Sequence, residues 1–308
     1  MTPASANDPV VLQEASAITA PTRFIETRLE TYAYRRFGGG AAPPLVFLQH
    51  FTGTLDNWDP AVTDQLAGSR EVILFESAGV GRSAGEVPTT IAEMAAHLLA
   101  FADALGLTQI ALLGFSLGGM VAQKVALDRP SLVRKMLLVG TAPAGGEDIM
   151  HLEKPELRRI LEDPSLSGPQ ILVRLFFAPS ESSQAAGQAF VTRLAARTQD
   201  REPVSGPKVA QAQIAAFRAW ERVNGERFGE LRRITQPCLV VNGILDKMIS
   251  VRNSYLLAEH LPERNAVDLA RRGARFALSV SRLLRATRDA IPGLVRASTA
   301  ERSIHGLV

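Results

Sequence analysis

One cysteine, Cys238, stands in the chain of 308 residues. No internal disulfide can form, which excludes a disulfide-stapled fold and leads to the expectation of a reducing compartment, the cytoplasm. Cys238 opens an apolar run and reads as a small buried hydrophobe rather than a nucleophile. Long apolar runs are missing: none approaches the roughly 20 residues that a membrane-spanning helix needs, so no membrane partner is expected. Residues 1–20 lack a basic start and a continuous apolar stretch, and read as a flexible arm rather than a signal peptide. Histidine is scarce, at five: His50, His97, His151, His260 and His305. These form no ligand cluster with cysteines or acids, so no metal is expected. Lysine is absent from residues 264–308, where nine arginines face three acids. That tail carries +6 and the remainder −3, within a net charge of +3. Basicity confined to a tail gives no support to a nucleic-acid partner.

What is present is globular in character, with 46% hydrophobic and 21% charged residues, and the length allows one or two domains. Short apolar runs at 45–48, 71–75, 110–113, 135–139 and 238–241 read as buried parallel strands. Ahead of them, 23–27 and 31–37 read as an antiparallel pair. Helical patterns fall between, at 90–105 with Ile91, Met94, Leu98 and Phe101 on one face, and at 117–127. Strand alternating with helix predicts an α/β fold with a doubly wound, mostly parallel sheet. From 143 to 230 no strand pattern occurs. That stretch is polar, helical and broken by Pro155, Pro164, Pro169, Pro179, Pro203 and Pro207. It reads as a helical cap inserted after the sixth strand, between core segments 21–142 and 231–308.

The chemistry centres on residues 110–119, Ile-Ala-Leu-Leu-Gly-Phe-Ser-Leu-Gly-Gly. Here G-x-S-x-G lies between a buried strand and a helix, the context in which this motif carries a nucleophile. Ser116 on so tight a turn must tolerate a strained backbone, and Gly114 and Gly118 give room for close approach. The helix that opens at Leu117 directs free N–H groups at negative charge forming beside Ser116.

With these elements the chain resembles the α/β-hydrolase superfamily, in the branch of esterases, lactonases, aminopeptidase-like enzymes and cofactor-free haloperoxidases. The match runs from about residue 23 to about residue 262 and is most specific at the serine turn. The resemblance implies an oxyanion hole made by the backbone N–H groups of Phe51 and Leu117. Relatives usually carry His-Gly-Phe where this chain has Gln49-His50-Phe51. His50 is read as structuring that loop, with a role as base the alternative. Glu76 to Ser83 resembles the hydrolase turn Asp-x-x-Gly-x-Gly-x-Ser and is read as structural. By resemblance Asp246, after the penultimate core strand, is the triad acid. His50, Phe176, Phe177 and Trp220 are candidate walls of the substrate pocket. No metal or organic cofactor is implied, and the partner is a small-molecule acyl substrate.

The family's histidine segment, usually Pro-Asp-x-Gly-His-Gly, is missing from the chain. In its place stands Ala270-Arg271-Arg272-Gly273-Ala274-Arg275-Phe276, inside the lysine-free tail. The codon classes of residues 270–282, read one base later, permit Pro-Asp-Ala-Gly-His-Gly-Ser-Leu-Phe-Gln-Tyr-Pro. The free letters of those codons are open to choice, but the fixed letters forbid no step. The expectation is a reading frame shifted near residue 265, with no full strand beyond 265–269 and a poorly packed end. Three readings follow: a serine hydrolase of a small ester, lactone or other acyl substrate, an inactivated or binding member, and a cofactor-free haloperoxidase or perhydrolase.

Overall fold

The computed structural model describes residues 15–262 and the backbone of residues 266–270. The strands are β1 (Arg23–Glu26), β2 (Thr31–Gly38), β3 (Leu45–Leu48), β4 (Glu71–Phe75), β5 (Ile110–Phe115), β6 (Val133–Val139), β7 (Cys238–Gly243) and β8 (Ala266–Ala270). They form one sheet in the order β1-β2-β4-β3-β5-β6-β7-β8. β1–β2 and β2–β4 are antiparallel, and every other pairing is parallel. This is the doubly wound, mostly parallel α/β sheet that the alternating pattern predicts. β8 pairs Ala270 with Gly243. The remainder of the tail, with the expected break in packing and His305, lies outside the described residues, as do residues 1–14.

The helices are α1 (Pro60–Ala67), α2 (Ile91–Ala104), α3 (Leu117–Asp128), α4 (Pro155–Leu161), α5 (Gly168–Phe176), α6 (Glu181–Ala195), α7 (Pro207–Glu221) and α8 (Arg252–His260). Side chains that alternate along the strands sort into two apolar layers. Val46, Leu48, Ile73, Leu112 and Leu138 pack with Leu98, Phe101 and Met120 of α2 and α3. Leu45, Phe47, Leu74, Leu113 and Leu137 pack on the other face with Trp58 and Leu66. Each large side chain buried in this way stabilises the fold by roughly 1.5–3 kcal/mol. Cys238 is buried in the first layer, and burial pushes its thiol up to about 12, so it is an inert hydrophobe.

Helices α4 to α7 are inserted between β6 and β7 and contribute no strand to the sheet; one isolated bridge joins Ile149 to Ile249. The insertion reaches both layers: Phe217 and Trp220 of α7 join the first, Val173 and Phe176 of α5 the second. Buried charge fixes it to the core. Arg35, 1% exposed, pairs with Asp56 at 2.7 Å and with Glu202 at 3.5 Å. The Glu202 N–H donates to Asp56 at 2.7 Å, and Arg82 pairs with both Asp200 and Glu202. Charges taken out of water persist only in such mutual pairing.

The same cluster corrects the expectation of a flexible arm over residues 15–20. Ala17 and Ala20 are buried, and the Ala17 N–H donates to Asp64 at 2.7 Å. The Arg197 guanidinium donates to the carbonyls of Ala17, Ile18 and Ala20 at 3.2, 2.9 and 2.9 Å. Local composition gave no sign of this, because the partner lies far along the chain on the insertion.

Candidate active site

β5 delivers the nucleophile candidate. Ser116 has φ 54° and ψ −115°, at the junction of β5 and α3. A non-glycine residue in this region of φ costs on the order of 1–3 kcal/mol, so the surroundings must hold it there. They do so through the backbone: the Ser116 N–H donates to Val139 at 2.8 Å, and the Thr141 hydroxyl donates to the Ser116 carbonyl at 2.7 Å. A Cβ on Gly118 would run into the Leu48 carbonyl, and one on Gly114 into the Gly118 carbonyl. The two motif glycines are thus demanded by backbone approach. Ser116 occupies the N-cap of α3 yet makes no capping bond, and its hydroxyl has no partner among the described residues.

The loop after β3 lies against this turn. The Gly118 N–H donates to the Gln49 carbonyl at 3.1 Å, and the Gly53 N–H closes a turn on His50 at 3.0 Å. Gln49 is buried, and its amide is used at both ends: its oxygen accepts the His50 N–H at 2.9 Å and its nitrogen donates to Thr54 at 2.9 Å. Thr52 is left-handed, with φ 56°. Among the described residues, neither the Phe51 N–H nor the Leu117 N–H donates to any protein group. Free amides are what an oxyanion requires.

His50 is partly open to solvent by surface area, yet protein atoms surround the ring, and burial pushes its pKa down to about 4. Its Nδ1 lies 2.8 Å from the Phe51 carbonyl. A carbonyl only accepts, so Nδ1 carries the proton and Nε2 keeps its lone pair. The ring stands edge-on to Phe115 at 5.0 Å and Phe176 at 5.7 Å, with Trp58 next to Phe115 at 6.3 Å. His50 therefore structures the loop and joins an aromatic wall. Phe115 and Trp58 belong to that wall. Phe115 was legible only as the x of G-x-S-x-G and Trp58 only as a spacing mark.

Asp246 follows the carboxyl end of β7. One of its oxygens accepts the N–H groups of Met248 and Ile249 at 2.8 and 3.0 Å. Burial raises its pKa to about 7, against the lowering effect of those two bonds and of Lys154. An ionised triad acid ordinarily has a histidine to orient, and the four described histidines are engaged elsewhere. His50 binds Phe51, and His97 binds the Tyr32 hydroxyl. His151 lies between Glu153 at 2.8 Å and Glu221 at 2.9 Å. Burial lowers its pKa, but the two carboxylates outweigh that and raise it. His260 stacks on Phe228 at 4.8 Å. None hydrogen-bonds to Ser116 or Asp246.

The other two pocket candidates have different partners. Phe177 packs on Phe190 at 5.6 Å within the insertion. Trp220 donates its indole N–H to the Ala142 carbonyl and lines a cavity of about 320 Å³ with Gln123, Leu127 and Phe228. The walls of that cavity include neither Ser116 nor Phe51 nor Leu117. Aromatic residues in the insertion could be listed from sequence, but which layer each one fills is set by how the helices cross the sheet.

Comparison with known proteins agrees with the fold. The family described as alpha/beta hydrolase fold matches residues 43–271. RutD of Rhizobium rhizogenes, named a carbamate hydrolase, is 30% identical over 241 residues, covering 74% of this chain and 83% of that protein. An alpha/beta hydrolase fold protein from Chitinophaga pinensis is 36% identical, covers 90% of this chain and 98% of its own, and superposes with a TM-score of 0.81. Est816, titled an N-acyl homoserine lactone degrading enzyme, shares the fold at 22% identity and a TM-score of 0.60, covering 87% of this chain and 95% of its own.

Proposed function

This chain is a member of the α/β-hydrolase fold family, and on that premise we propose that it is a serine hydrolase of a small acyl compound. The observation that carries the reading is the positive-φ Ser116 with an unpartnered hydroxyl, on a turn bonded to the Phe51 loop, together with the unpartnered amides of Phe51 and Leu117. Ser116 Oγ attacks the carbonyl carbon and gives up its proton to a base, and the carbonyl oxygen becomes an oxyanion held by the two N–H groups. Collapse expels the leaving group with that proton and leaves an acyl-serine, which water hydrolyses through the same oxyanion. Asp246 has the role of orienting the base. Helices α4 to α7 serve as a cap, since α5 and α7 meet the His50-Phe51 loop from the two layers. His50, Phe115 and Phe176 offer an aromatic wall, suited to a compact apolar acyl group. Esters, lactones and the carbamates named for the RutD relatives all present the required carbonyl.

A second reading has its own observation. No described histidine hydrogen-bonds to Ser116 or Asp246, and burial raises the Asp246 pKa to about 7. We infer that the base was lost where the tail departs from family pattern, which makes hydrolysis slow or absent. A fluorophosphonate probe and p-nitrophenyl acetate test both readings. Labelling at Ser116 with ester turnover upholds the hydrolase, and absence of both upholds the inactivated member. Resequencing the gene across residues 260–280 tests the shifted frame, and an unambiguous read in the present frame excludes a sequencing error.

A further inference from the structure

Helix α7 of the insertion touches the oxyanion loop at two successive residues. Gln213 is buried, 3% exposed, and its side-chain oxygen accepts the Thr52 N–H at 2.7 Å. One turn further along the same face, Phe217 packs its ring on Phe51 at 6.0 Å. The peptide that joins Phe51 to Thr52 is therefore held from both sides. The His50 ring donates to its carbonyl, and Gln213 accepts its N–H. Thr52 is β-branched and left-handed at φ 56°, a conformation such a residue does not adopt unaided. Gly53, next in the chain, has its N–H on the His50 carbonyl, so the peptide before Phe51 is fixed as well. In a trans peptide N–H and C=O point in opposite directions. Holding the His50 carbonyl therefore aims the Phe51 N–H away from the turn.

We propose that Gln213 is a positioning residue for the oxyanion hole. By accepting the Thr52 N–H it holds the left-handed turn that presents the Phe51 N–H, and so makes the insertion part of the catalytic apparatus. The inference rests on the oxyanion role proposed for Phe51. Its logic is that of preorganisation: a donor acts on a developing charge only if it is already in place. An apolar side chain at 213 leaves the partly buried Thr52 amide without its acceptor, and the turn relaxes toward a conformation that turns the Phe51 N–H aside.

The test uses Gln213→Leu, which removes the acceptor, and Gln213→Glu, which keeps an acceptor oxygen at the same reach. Where the leucine variant fails to fold, as judged by its melting transition, Gln213→Met takes its place. Two quantities are read on the full chain: the rate of fluorophosphonate labelling at Ser116 and the hydrogen exchange of the Thr52 amide. Loss of the acceptor is expected to slow labelling by about 10- to 100-fold. It should also speed Thr52 exchange, with both restored to within about threefold by Gln213→Glu. If ester turnover is measurable, the loss falls on kcat and leaves KM nearly unchanged. Equal labelling of wild type and Gln213→Leu, or unchanged Thr52 exchange, overturns the positioning role and leaves the serine hydrolase standing. A wild type that does not label at all overturns the hydrolase reading, and the positioning role with it.

Discussion

The Gly118 amide donates to the Gln49 carbonyl at 3.1 Å, and this one bond ties the start of α3 to the end of β3. It holds the serine turn and the loop carrying Phe51 as one body. The register agrees: Leu48, the last residue of β3, pairs with Gly114 of β5. Strain at Ser116 and at Thr52 is thus carried by a shared backbone network, and the following outcomes depend on it.

Ser116→Ala is expected to abolish probe labelling and shift Tm by less than about 2 °C, because the hydroxyl caps nothing and its removal breaks no hydrogen bond. Ser116→Gly should abolish labelling and raise stability by about 1 kcal/mol, since glycine relieves a φ of 54°. Calorimetry on the two variants, alongside wild type, measures the strain directly. A glycine variant no more stable than the alanine one would refute it.

Gly118→Ala should be severe. Its new methyl meets a backbone carbonyl, Leu48, which cannot rotate away as a side chain would. Overpacking of this kind costs about 1–3 kcal/mol or more. Probe labelling should fail even in the fraction that stays folded. Denaturant melts with labelling at matched folded fraction check both halves.

Arg35→Met removes the cation facing Asp56 and Glu202. Glu76, which burial already holds well above the usual carboxylate range, lies in the same cluster. The expected loss is about 1.5–3 kcal/mol at neutral pH, that of one charged partner, because Arg82 stays on Glu202 and Arg197 and Arg201 stay near Asp56. Limited proteolysis should cut first within residues 196–206, where the insertion is released from the core.

Asp246→Asn should stabilise the protein above neutral pH. The Asp246 pKa of about 7 lies above its unfolded value of 3.8, so the folded state holds a proton that the unfolded state gives up. Wild-type stability therefore falls as pH rises from about 4 to about 7, and the asparagine variant escapes that loss. The gain at pH 8 is on the order of 2–4 kcal/mol. Equal pH profiles for the two proteins would show instead that Asp246 has a cationic partner, as a working triad demands.

His50 should stay neutral from pH 8 down to about 5, because burial opposes its charged form. Its contribution to stability is present above the ordinary histidine value of 6.5 and is lost as pH falls through 4. The histidine Cε1 proton resonances, followed by NMR across this range, would expose a normal titration.

The sequence by itself determined the sheet and the serine turn. Runs such as Leu45 to Leu48 and Glu71 to Phe75 are buried on both faces, so their identity as strands shows in composition alone. G-x-S-x-G was legible as a spacing, but of its two glycines only Gly114 answers a local contact, with Gly118, while Gly118 answers Leu48 on another strand. Tertiary structure alone decided what distant segments do for one another. Gln213 looks like any polar residue on α7 until Thr52, 161 positions earlier, presents its amide. Arg197 turns residues 17–20 from an arm into a docked segment, and helix crossing sends Phe176 to His50 but Trp220 to a separate cavity. Hydrogen bonds and side-chain packing of this kind depend on position in space, and a chain read in order carries no distance between residues so far apart.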